Sequence, residues 1–90
     1  MWETRLRDGY VDDFCSWVVD EAWPVFAVAE GFLGGEVYRQ DAESRAVVVT
    51  RWVDQTTLTA GNEWFDLGAE RFVERAPHAW EFTPVPTAAR

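Results

Sequence analysis

Gly31-Phe32-Leu33-Gly34-Gly35-Glu36-Val37-Tyr38-Arg39, then Asp41-Ala42-Glu43-Ser44, then Ala46-Val47-Val48-Val49-Thr50-Arg51-Trp52-Val53-Asp54 form the stretch that decides the fold. Two runs rich in β-branched and aromatic residues flank a short polar gap, which predicts a β-hairpin closed by a four- or five-residue turn. A helical pattern precedes this hairpin and another follows it.

Working outward, residues 2–7 alternate Trp2, Thr4 and Leu6 against Glu3, Arg5 and Arg7, as a short first strand does. Asp8-Gly9 then turns the chain. Val11, Phe14, Cys15, Val18, Ala22 and Val25 form an amphipathic helical stripe flanked by Trp17 and Trp23, with Cys15 as a buried thiol. Pro24 is expected to end or kink that helix and Gly31 to close the segment. After Asp54 an irregular or one-turn helical segment is expected up to Gly61. Asn62 then serves as the N-cap of a second helix, with Phe65, Gly68, Ala69, Phe72, Val73 and Ala76 on one face and Pro77 as its stop. Residues 79–83 make the last strand. The order is β-α-β-β-α-β, so the expected class is α+β. It is a ferredoxin-like fold with a four-stranded antiparallel sheet and two helices on one face. One domain spans residues 1–85 and a tail follows over 86–90.

The strand at 46–53 is apolar on both faces, Val47, Val49 and Val53 on one and Ala46, Val48 and Trp52 on the other. A strand apolar on both sides needs cover on both. Two helices cover one face of such a sheet, so a second copy is expected against the other, with Glu36 and Arg51 pairing diagonally there beside Tyr38. A chain of ninety residues also buries only roughly 60–65% of its unfolded surface, which a partner subunit would improve.

Composition narrows the partners. The net charge is −8, and the eight basic residues are all arginines set among sixteen carboxylates. That is no basic footprint for nucleic acid or an anionic membrane. No run reaches the roughly 18 apolar residues of a membrane helix. Strand residues begin by Trp2, so no signal peptide is read and a cytoplasmic protein is expected. One cysteine and one histidine, Cys15 and His78, are a poor donor set for zinc or iron, so no metal and no cofactor are expected.

Residues 31–39, and the run ending in Trp52-Val53-Asp54 with Leu58 shortly after, resemble the antibiotic biosynthesis monooxygenase family over about residues 1–85. The resemblance implies a dimeric α+β barrel. It also implies cofactor-independent oxidation of a phenolic or polyketide-type aromatic small molecule held between sheet and helices. The quinone-forming members are matched at Trp52, but Val48 and Leu58 stand where they carry an asparagine and a tyrosine. Thr4, Gly61 and Arg71 stand where the haem-degrading members carry asparagine, tryptophan and histidine. Two alternatives therefore stay open: a non-catalytic dimeric module that binds a hydrophobic small molecule or acts structurally, and haem binding.

Alternation places Thr50 and Val48 beside Trp52, with Gly35 and Leu33 across the hairpin, so a void is expected where Gly35 faces the Thr50 hydroxyl. Trp52, Thr4, Thr50, Trp64, Trp17 and Gly35 are the substrate-binding candidates, with Trp17 and Trp64 as a roof. Each also has a plain packing explanation, since tryptophan buries so much area. Glu21, at the edge of the first helix stripe, and His78, the one side chain titrating near neutrality, are the candidate bases.

Overall fold

The computed structural model describes residues 1–86; residues 87–90 of the expected tail lie outside the described residues. Strand β1 is Trp2–Arg5. Helix α1, Val11–Trp17, runs through a π turn, Val18–Ala22, into α2, Trp23–Ala27. Strands β2, Phe32–Gln40, and β3, Arg45–Trp52, form the hairpin. Helix α3 is Gln55–Ala69, continued by a 3-10 turn, Glu70–Phe72, and β4 is His78–Ala79. The sheet order is β2-β3-β1-β4 with every pairing antiparallel, as the β-α-β-β-α-β reading requires.

The hairpin falls where expected. The turn occupies residues 41–44, and Gly35 sits opposite Thr50. One detail differs. A bulge between Phe32 and Gly34, with Gly34 at φ +130°, puts Phe32 rather than Leu33 opposite Trp52 and turns Leu33 out to 67% exposure. On the sheet's outer side Arg51 grips Glu36 with two hydrogen bonds, at 2.5 and 2.8 Å, which holds the Glu36 carboxyl below the usual carboxylate range.

The first helical segment carries a correction. The core stripe is Val11, Phe14, Trp17, Val18, Ala22 and Phe26, whereas Val25 is 43% exposed and Cys15 lies half-buried at the edge. The π turn takes more residues per turn than an α-helix, so the buried face advances by one position beyond Ala22. It also resolves Pro24. Proline has no N–H to donate, and here it sits in the first turn of α2, where that donor is not required, so the chain stays helical to Ala27.

The second helix starts earlier than the expected Asn62. Asp54 is the N-cap, extended at φ −153°, with its side chain accepting from the Thr57 N–H at 3.0 Å. Gly61 lies inside the helix because a side chain there would strike the Trp52 ring, and Gly68 seats Trp17 in the same way. The helix ends at Ala69 rather than at Pro77. Val73 is already extended and bridges to Leu6. The last strand holds two residues rather than 79–83. Trp80 still donates its N–H to the Met1 carbonyl at 2.8 Å.

Between sheet and helices lies an aromatic core. Trp2 stacks on Phe14 at 5.6 Å and meets the edge of Phe65 at 4.7 Å, and Phe72 stands edge-on to Phe14 at 5.8 Å. Ala46 and Val48 of β3 close it from below. Burial pushes the Cys15 thiol up, outweighing the opposing Arg39 guanidinium. The folded pKa is above the unfolded one, so this group favours the fold below the unfolded value and loses that effect as pH rises through the folded one. Alkylation by iodoacetamide at about pH 8 is expected to be slower than for an unstructured thiol and to reach the free rate in denaturant; equal rates in both would contradict it.

Candidate functional site

Strand pairing decides where the concave surface is. Pairing of β1 with β3 ends at Trp2 opposite Val48, but β3 continues to Trp52. Beyond that pairing lies a groove of about 590 Å³ bounded by the end of β3, the start of α3 and residues 80–84. Its apolar walls are Leu33, Leu58, Trp80 and Phe82, with Thr50 and Trp52 at one side and Glu81 at the other. Met1 also lines it, and its amine donates to the Trp80 carbonyl at 2.7 Å. Burial there lowers the amine's pKa from its ordinary value, against the opposing pull of Glu81.

Trp52 is half-buried, packed against Phe32 at 5.2 Å and Phe26 at 5.8 Å with Gly61 beneath it. Its indole N–H donates to the Thr50 hydroxyl at 2.8 Å, so the pair forms a single polar element at the groove wall. The expected void at Gly35 is absent: a Cβ there would overlap the Val49 carbonyl oxygen, so the glycine serves a close backbone approach.

The remaining candidates lie elsewhere. Trp17 is buried and stacks on the more exposed Trp64 at 6.3 Å, with the Arg71 guanidinium 5.7 Å from its ring, so these two tryptophans pack solidly over α3 instead of roofing an open space. Thr4 is buried in the sheet, its hydroxyl directed at the carbonyls of Arg5 and Arg75, at 3.4 and 3.5 Å. Glu21 is exposed and ion-paired with Arg71 at 3.9 Å. His78 is exposed on β4 and stacks on Trp80 at 5.6 Å, behind the groove rather than in it. Thr50 and Trp52 are thus the two sequence candidates that the fold brings to the groove.

Sequence reasoning passed over Trp80 and Phe82. Their alternation was legible but was assigned to a strand. It also passed over the bond from the Trp2 indole to Asp66, at 2.5 Å. The signal for that bond was available, because a buried indole N–H requires an acceptor. Among the described residues, no group of three or more histidine, cysteine, aspartate or glutamate side chains is placed to hold a metal ion, and no helix is long and apolar enough to cross a membrane.

Comparison with known proteins gives a likeness in fold. No protein-family model matches the chain, and no curated protein matches it. A solved structure does: a candidate antibiotic biosynthesis monooxygenase of Bacteroides thetaiotaomicron superposes with a TM-score of 0.71 over 99% of this chain and 90% of that one, at 8% identity. The fold is antibiotic-biosynthesis-monooxygenase-like. At this identity the likeness speaks for the fold, and the chemistry has to come from the site. In this monooxygenase-like fold Val48 is buried beneath the core and Leu58 forms part of the groove wall.

Proposed function

We propose that this protein is a cytoplasmic, homodimeric, monooxygenase-like enzyme that binds a flat, largely apolar phenolic molecule in the groove beside Trp52 and oxidises it with molecular oxygen. The groove carries this reading: a concave, mainly apolar surface of ligand size with a few convergent polar groups is what an aromatic substrate needs. The bound phenolate supplies the electrons. One oxygen atom becomes the new quinone carbonyl at a ring carbon that gives up its hydrogen, and the other leaves as water with that hydrogen and the phenolic one. The protein's part is desolvation and orientation. Thr50, already held by Trp52, offers its own hydroxyl hydrogen to a substrate oxygen. Glu81 is the groove carboxylate best suited to take the phenolic proton, since Asp54 is committed to capping α3.

The dimer rests on the outer face of the sheet. Val47 and Val49 are only half-buried there, beside exposed Tyr38 and the Glu36–Arg51 pair, and a second copy would cover them. Light scattering is expected to give about twice the 10.3 kDa chain mass, and a clean monomer at micromolar concentration would remove the dimer from this account.

A second reading, binding without turnover, is favoured by one observation: the Trp52 indole N–H is already engaged by Thr50 and is not free to steer a substrate oxygen. Oxygen uptake and tryptophan fluorescence, followed together while hydroxyanthrones and dihydroquinones are added to chelator-treated protein, separate the two. Uptake with quenching establishes the oxygenase. Quenching alone establishes the binding module, and neither response overturns the groove as a ligand site.

A further inference from the structure

A second concavity shares no lining residue with the groove. It has a volume of about 370 Å³ and an apolar floor that includes Ala69 and Val73, with the edge of Trp2 against it. Its rim carries two charges of each sign. Asp66 and Glu70 stand one helical turn apart at the end of α3, and Arg7 and Arg75 come from the strand side. The ion pairs among the described residues include none of these four. Arg7 uses its Nε to donate to the Val73 carbonyl at 3.1 Å, which fixes the guanidinium and leaves its terminal nitrogens unused. Asp66 is fixed in turn by the Trp2 indole on Oδ1, which leaves Oδ2. Opposite charges thus line one small cavity without pairing with each other, and one of each sign, Arg7 and Asp66, is anchored by a neutral partner.

We propose that this cavity binds a free α-amino acid with an apolar side chain. Its ammonium group faces Asp66 and Glu70, its carboxylate faces Arg7 and Arg75, and its side chain lies on Ala69 and Val73. A zwitterion satisfies both walls at once, which a simple anion or cation cannot do, and the floor supplies nothing for a polar side chain. Charge-assisted hydrogen bonds at both ends make recognition depend on both charges together.

Calorimetric titration with L-leucine, leucinamide and 4-methylpentanoate tests this, since each analogue lacks one charge. L-Leucine is expected to bind saturably, and each analogue at least about tenfold more weakly, the loss of one charge-assisted contact. Arg75→Gln is expected to abolish the preference for leucine over leucinamide. Asp66→Asn, which keeps an acceptor for the Trp2 indole, is expected to abolish the preference over 4-methylpentanoate. Near-UV circular dichroism checks that both variants keep the packed core. Three equal affinities, an unchanged preference in a folded variant, or no saturation with L-leucine would each overturn the assignment.

Discussion

Gly35→Val is expected to lower the melting temperature by more than about 10 °C. The position lies in the middle of β2 opposite Thr50, and any Cβ there would overlap the Val49 carbonyl oxygen, which is backbone and cannot rotate aside. Relief requires β2 and β3 to separate along the longest ladder of the sheet. Overpacking a well-ordered site costs about 1–3 kcal/mol, and a clash with main chain lies at or above the top of that range. A domain of this size has on the order of 5–10 kcal/mol in all, so the loss is a large share of it. Thermal melts followed by circular dichroism would show it; a variant melting within a few degrees of the parent would mean that the strands approach less closely than described.

Phe14→Ala is the second large effect, through a different cause. Phe14 is fully buried, stacked on Trp2 and in contact with Phe65, Phe72 and Trp17. Its removal strips the shared neighbour from four rings on β1, α1, α3 and the 3-10 turn, and rigid indoles cannot collapse into the space. Phenylalanine-to-alanine changes in cores cost about 3–5 kcal/mol. Urea unfolding is expected to lose about that much at unchanged m-value, and a loss under about 1 kcal/mol would show that the core closes over the gap.

The parts legible in the sequence are those set by local period. The hairpin, its turn, the Gly35–Thr50 register and the Glu36–Arg51 pair follow from period-two alternation around residues 41–44. The face of β1 is equally plain. What escaped depends on contacts between distant residues or on one-residue shifts. The π turn exchanges Val25 for Phe26, a change no 3.6-residue pattern contains. Gly61, beside Thr59 and Asn62, has the composition of a loop, and only the Trp52 ring lying on it explains a glycine in a helix interior. The groove was half legible. Trp52 and Thr50 follow from alternation, but the groove beside them is completed by residues 80–84, which no local period relates to β3. The void inferred at Gly35 failed for the same reason, since glycine signals a close approach as readily as an opening.

The gap beside β3 has a practical consequence for handling the protein. The N-terminal end of β1 adjoins the groove, and Met1 lines it. Any residues fused ahead of Met1 would extend β1 by the next positions of its ladder, alongside Val49 to Trp52, and occupy the wall proposed for the small molecule. An amino-terminal purification tag would therefore lie across the groove, and protein from which it has been cut away is the material in which to test whether a small molecule enters there.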